Sequence, residues 1–337
     1  MNEPFFTIGV DIGGTNTAIG AIDRKGNCLH KTSIPMRDQR NAEVFIKTLS
    51  VTIKNLCMQL PNNCILSGIG VAAPAARHLE GTIRNSANLQ WGTVNIVNML
   101  KKHYDLPITI INDSNAAALG EMIYGIAKGM RNFIVLTLGT GLGAGIVVEG
   151  ELLHGKNSMA GELGHIIIEP HGRQCGCGRR GCVETYVSAP GLCRTAFELL
   201  STRTDNSKLR SINYENMTSL QIYELAQMND PIAKEAFIAT GDYLGRLLAN
   251  TVAAFDPEMV ILSGGLANAK ELLLEPTRKS FERNAPEWHR DSVEIASSML
   301  HNAAILGASY LVTNTVQKQD ADSLPTYKIS HKTDVTV

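Results

Sequence analysis

Three cysteines stand within eight residues in Cys175-Gly-Cys177-Gly-Arg-Arg-Gly-Cys182, and His165 of Gly161-Glu162-Leu-Gly164-His165 lies ten residues upstream of the first. Three thiols and one imidazole complete the ligand set of a closed tetrahedral zinc site. A structural clip is the simplest use of such a site. The flanking acids point further. Glu162 shares a short segment with His165, and Glu184 follows Cys182 by two positions. A metal that fixes the ligands therefore also fixes two carboxylates. If one ring nitrogen of His165 ligates the ion, the other is left as an N–H donor. Two acceptors and one donor held this way suit a polyhydroxylated ligand.

Two glycine turns carry a second chemistry. In Asp11-Ile-Gly13-Gly14-Thr15-Asn16, glycines let backbone N–H groups approach an anion and Thr15 adds a hydroxyl. Asp11, at a strand end, is placed to hold a hydrated Mg²⁺. The pattern is not a P-loop, because no Gly-Lys-Ser/Thr follows. Gly139-Thr140-Gly141-Leu142-Gly143 is the second turn. A tight hairpin would explain the glycine pair of the first turn, but the acid before it and the hydroxyl after it favour phosphate; the second turn alone is a common hairpin pattern, and paired with the first it suits a polyphosphate held from both sides. Ser263-Gly264-Gly265, after an apolar strand, reads as a strand-to-helix turn or a loop that approaches a nucleotide.

Asn112-Asp113-Ser114-Asn115 ends a strand and opens a helix. Asp113 or Ser114 suits the N-cap. The same position serves chemistry, since carboxyl ends of strands face the ligand in α/β proteins. An ionised Asp113 could take the proton of an alcohol attacking a γ-phosphate.

These residues need a frame. Strands are predicted at 6–11 and 17–22, with a third after the 23–26 turn, a helix at 41–60, and a strand at 65–72. A helix follows at 93–103, then a strand at 108–111 running into the helix at Ser114. The plan restarts about 125 residues later with a strand at 133–138, a glycine turn and a returning strand, which implies a duplicated domain. Helices at 189–201 and 218–254, strands at 259–262 and 292–296, and a last helix from near Asn302 complete it. Residues 317–337 read as a polar tail. The alternation gives an α/β fold with mixed sheets. The 337 residues suit two domains. A net charge of -1 argues against a sequence-independent grip on nucleic acid. No apolar run suits a membrane helix, and the N-terminus lacks a signal core. Seven cysteines, four of them scattered, argue for reduced thiols and a cytoplasmic location. Trp91 is expected in packing or as a lid.

The set Asp11-Ile-Gly-Gly-Thr15, Asn112-Asp113-Ser-Asn115-Ala, Leu138-Gly-Thr-Gly-Leu-Gly143, Gly161-Glu-Leu-Gly-His165, Cys175-Gly-Cys-Gly-Arg-Arg-Gly-Cys-Val-Glu184 and Ser263-Gly-Gly265 resembles the ROK family of repressors, open reading frames and sugar kinases, over residues 5–315. The resemblance implies a two-lobed actin-like ATPase (ribonuclease H-like) fold with a central cleft. It implies a small lobe over 1–118 joined by a helix at 302–316, and a large lobe over 119–301 carrying zinc. The implied activity is ATP- and Mg²⁺-dependent phosphorylation of a hexose, commonly at O6, with glucose the expected sugar. N-acetylglucosamine, N-acetylmannosamine, mannose and fructose remain alternatives, as does a non-catalytic sugar-sensing regulator. Repressors of the family carry a winged helix ahead of the first strand, which here starts within ten residues, so an enzyme is expected. By the resemblance, Asp113 is the base, and Asn88, Asn112, Asp113, Glu162, His165 and Glu184 hold the sugar. Asp11, Gly13, Gly14, Thr15, Asn16, Gly139, Thr140, Gly141, Gly264 and Gly265 serve ATP. His165, Cys175, Cys177 and Cys182 bind Zn²⁺. A homodimer is expected, with no nucleic-acid or membrane partner. One departure concerns Val71-Ala-Ala-Pro74-Ala75-Ala76, where the family usually has glycine after the proline.

Overall fold

The computed structural model describes residues 5–318 and Tyr327–Lys328, apart from Asn62, Ala87 and Asn88. The chain divides into two units. One comprises Met1–Lys128, Lys156–Ser158 and Leu300–Val337; the other comprises Gly129–Gly155 and Met159–Met299.

The first unit opens with the antiparallel strands β1 (Phe5–Ile12), β2 (Asn16–Asp23) and β3 (Cys28–Pro35). Asp23 sets the second turn by accepting from the N–H groups of Lys25 and Asn27, each at 2.8 Å. Helix α1 (Ala42–Cys57) starts where the Asn41 side chain accepts from the Glu43 and Val44 amides. It buries Phe45, Ile46, Leu49, Ile53 and Leu56 at helical spacing. Strand β4 (Ile65–Ala73) pairs in parallel with β1. A small sheet follows, of β5 (Ala76–Arg77), β6 (Thr82–Arg84) and β7 (Thr93–Asn95). Then come α2 (Ile96–Lys101), β8 (Ile108–Asn112), parallel to β4, and α3 (Asp113–Tyr124). The helix expected over 93–103 is thus shorter. Residues 93–95 pair with β6 instead, and the Asn95 side chain caps α2 by accepting from the Asn98 amide at 2.8 Å.

The second unit repeats this pairing scheme. Strands β9 (Phe133–Leu138) and β10 (Leu142–Val148) form the hairpin, and β11 (Glu151–Leu152) extends it. Helices α4 (Ala189–Thr202), α5 (Ser219–Gln227) and α6 (Pro231–Phe255) precede β12 (Met259–Ser263), which lies parallel to β9. Helices α7 (Glu271–Asn284) and α8 (Glu287–Arg290) lead to β13 (Glu294–Ser297), parallel to β12. The long helix expected over 218–254 is two helices. Asn229 turns left-handed at φ 64°, and Asp230 caps a new start at Pro231.

The chain returns to the first unit with α9 (Ala303–Lys318) and β14 (Tyr327–Lys328), which pairs with β4. Two described parts of 317–337 are therefore helix and strand rather than tail; the remainder lies outside the described residues. Helix α9 packs on β1 and β4 because Gly9 and Gly70 offer no side chain there. A Cβ on either would run into the carbonyl of Ile305 or Ala308. Helix α3 continues past residue 118, and the first unit reaches Lys128.

Ala75 follows Pro74 at φ 55°, in the left-handed region that glycine favours. This gives a physical content to the alanine noted there. Ala75→Gly is expected to stabilise the chain by about 0.5–1 kcal/mol, read as a shift in urea midpoint at constant m. An unchanged or lowered midpoint would show that the site carries no strain.

Candidate active site

In the first unit, β1, β4 and β8 run parallel. Asp11 pairs with Ala72, and Ala73 pairs with Asn112. Asp11 and the Asn112-Asp113 step therefore share one carboxyl edge, where α/β sheets place ligands. Between β1 and β2 the turn closes by a 3.1 Å bond from the Gly13 amide to the Asn16 carbonyl, leaving Gly14, Thr15 and Asn16 exposed.

Burial pushes the Asp11 carboxyl up to about 7; repulsion from Asp113 adds to this, and Lys31 works against it. Such a group binds its proton more tightly folded than unfolded. Its stabilising contribution is full below the ordinary carboxylate range and is lost as pH rises from about 4 to about 7. Asp11→Asn is therefore expected to match the parent in stability near pH 4 and to exceed it at pH 8. Urea midpoints across that range check this, and a pH-independent difference would contradict it.

The N-cap of α3 is neither Asp113 nor Ser114. It is Asn112, whose Oδ1 accepts from the amides of Ser114 (3.0 Å) and Asn115 (3.2 Å). Three polar residues in a row compete for the cap, and the extended backbone at Asn112 decides it. Asp113 becomes the first helical residue. Burial raises its carboxyl above the usual range, although the Ser114 amide donates to Oδ1 at 2.8 Å.

In the second unit, β9 and β12 are parallel neighbours, so the Gly139–Gly143 turn and Ser263-Gly264-Gly265 lie at one edge. Gly264 sits at φ 92°, and a Cβ there would stand 2.6 Å from the Leu138 carbonyl oxygen. Only glycine lets β12 leave so close to the end of β9. The turn itself is anchored twice. The Ala189 amide donates to the Gly139 carbonyl at 2.8 Å, and the Leu142 amide donates to Glu184 Oε2 at 2.9 Å.

The ligand atoms of His165, Cys175, Cys177 and Cys182 all lie within 4.8 Å of one another. Cys177 and Cys182 sulfurs are 3.6 Å apart, and Cys175 Sγ is 3.7 Å from His165 Nδ1. With Zn–S near 2.3 Å, tetrahedral edges run at about 3.7 Å, so the set fits zinc. Nδ1 faces the thiols, which leaves Nε2 as the second ring nitrogen. The local chain builds this cluster with a turn, in which the Gly178 amide donates to the Cys175 carbonyl and the Cys175 amide to that of Arg179. The Arg179 backbone N–H draws the Cys177 thiol down to about 6, whereas burial pushes Cys182 up to about 12 and raises Cys175. A bound cation must displace those two protons.

Arg173 braces the loop and escaped notice in the sequence. It is buried, stacks over the Tyr186 ring at 4.4 Å, and donates to the carbonyls of Thr185 and Gly191 and to Glu198. No motif announces a lone arginine whose partners lie 12 to 25 residues away. Trp91 packs on Phe45, ring centroids 4.9 Å apart, and its indole N–H donates to the Gln39 carbonyl. Asn88 lies outside the described residues.

A family model described as "ROK family" matches residues 7–315. The chain belongs to the ROK family. It is 34% identical to a glucokinase of Halalkalibacterium halodurans over 312 residues, 90% of this chain and 94% of that one. The xylose repressor of Bacillus subtilis is 28% identical over 91% of this chain and 77% of its own. Among solved structures, a ROK family glucokinase from Streptomyces griseus in complex with glucose and AMPPNP superposes with a TM-score of 0.82 at 31% identity, covering 92% of this chain and 99% of that one. The fold is accordingly the actin-like ATPase fold of ROK sugar kinases, with a mixed sheet in each unit. Among the described residues, no helix is long and apolar enough to cross a membrane.

Proposed function

We infer that this ROK protein is an ATP-dependent sugar kinase that phosphorylates glucose at its 6-hydroxyl. The observation that carries the reading is Asp113, a half-buried carboxylate at the carboxyl edge of three parallel strands, in a chain similar over nearly its whole length to glucokinases.

In this reading Asp113 orients the sugar hydroxyl and takes its proton late, as a loose phosphoryl-transfer transition state requires. Burial favours that role, because a raised pKa strengthens the base. Asn112, Glu162, His165, Glu184 and Asn88 hold the remaining hydroxyls. The two glycine turns and Gly264-Gly265 take the nucleotide, and Asp11 would hold its Mg²⁺. Mg²⁺ supplies charge neutralisation on the phosphates. His165, Cys175, Cys177 and Cys182 would hold a zinc ion, which when bound would brace the sugar-binding loop, and His165 would keep its other ring nitrogen as an N–H donor.

ADP release with Mg·ATP, measured across glucose, mannose, fructose and the two N-acetylhexosamines, tests the reading. Saturable turnover with the highest kcat/KM on glucose is expected. A zinc-replete chain that turns over none of them would instead be a sugar-binding regulator.

A further inference from the structure

We propose that Glu184 is also a positioning residue for the nucleotide, holding the second glycine turn in its phosphate-binding shape so that the sugar and nucleotide subsites share one carboxylate. The proposal rests on the kinase reading above. It goes beyond it by giving a sugar-side acid a duty toward ATP.

The geometry is specific. One carboxylate oxygen, Glu184 Oε2, accepts from the Leu142 backbone amide at 2.9 Å. The same oxygen lies over Gly141, where any Cβ would run into it. Gly141 has no positive φ; a side chain there would displace the carboxylate rather than strain the backbone. The other end of the turn is fixed independently, by the Ala189 amide on the Gly139 carbonyl and by the Gly139 amide on that of Gly141 at 2.9 Å. Glu184 itself is held from below. Its carbonyl accepts from the Ser188 hydroxyl at 2.7 Å, and Cys182 stands two residues upstream in the thiol cluster. Glu184 thus reaches from the metal-braced loop to a turn 42 residues away in sequence.

A carboxylate accepting a backbone N–H makes one of the stronger hydrogen bonds in proteins. It leaves the second oxygen for a sugar hydroxyl. A sugar that pulls on Glu184 therefore acts on the Leu142 amide, and a filled phosphate turn acts back on the sugar acid, because coupling between sites is reciprocal.

The test compares Glu184→Ala with Glu184→Gln in the full chain. Glutamine keeps an oxygen for the Leu142 amide but loses the charge that the sugar meets; alanine loses both. Binding of Mg·AMPPNP is measured by calorimetry without sugar, glucose binding is measured separately, and hydrogen exchange is followed at the Leu142 amide. E184A is expected to weaken Mg·AMPPNP about tenfold and to speed exchange at Leu142. E184Q, which keeps a neutral acceptor, is expected to lose clearly less of both than E184A does, while glucose binding weakens. Parent-like nucleotide affinity and a protected Leu142 amide in E184A would overturn the proposal. So would equal loss of nucleotide affinity in both variants, since the charge rather than the bond to the turn would then matter. A parent chain that binds neither glucose nor Mg·AMPPNP would instead defeat the kinase reading on which the proposal rests.

Discussion

Asp113→Asn is expected to lower kcat about a thousandfold while glucose affinity stays within about threefold. The substitution conserves volume, and an amide oxygen still accepts from the Ser114 amide that now bonds Oδ1 at 2.8 Å. Helix α3 keeps its cap, because the cap is Asn112. What disappears is the proton acceptor. Steady-state ADP release gives kcat, and calorimetry with glucose gives the affinity. A variant retaining a tenth or more of parental kcat would remove Asp113 from its role. The parent carries its own signature. Burial raises this carboxyl, so its basic form is lost as pH falls through a value above the ordinary carboxylate range. The acid limb of kcat/KM should lie correspondingly high.

Removal of the thiol cluster should act on sugar affinity rather than on turnover. Cys182→Ser is expected to reduce bound zinc from about one ion per chain to near none and to raise the glucose Kd by about tenfold or more. Cys182 is fully buried and lies between two partners of the loop. Its sulfur is 3.6 Å from that of Cys177, and its carbonyl accepts from Thr185 Oγ1 at 2.7 Å. Without metal, His165 and Glu184 lose their common anchor. Metal analysis and glucose calorimetry on the same preparation decide the matter. A metal-free variant that binds glucose as the parent does would reduce the cluster to a clip without bearing on the sugar.

The parts of the site that could be read from sequence are those whose partners are near in sequence. Cys175, Cys177 and Cys182 announce themselves by spacing, and their turn is closed by local backbone bonds. The hairpins behind Gly13 and Gly139 were legible for the same reason, as apolar runs broken by glycine. What stayed hidden depends on distant pairing or on competition among similar residues. Glu184 could be seen as an acid near the thiol cluster. Its bond to Leu142 could not, because only the packing of the loop on the β9–β10 hairpin brings the two together. Arg173 was silent on the same grounds. Composition does not decide the cap of α3, because Asn112, Asp113 and Ser114 are all good cap residues and backbone conformation chooses among them. The break between α5 and α6 hinged on the left-handed Asn229 ahead of Asp230-Pro231. Pairing also decided residues 93–95, whose apolar pattern suits a helix until β6 is there to receive them.

The seating of α9 on Gly9 and Gly70 has a consequence for how the protein is made. Strand β1 leaves the ribosome long before the helix that covers its glycine face, which begins at Ala303. The whole second unit, from Gly129 to Met299, is synthesised in between. The second unit can thus close while the chain is still being translated, whereas the first, although begun earlier, waits for its last helix. During that interval the bare strip around Gly9 and Gly70 is the surface a chaperone would meet. A stop codon ahead of Ala303 would leave it open for good.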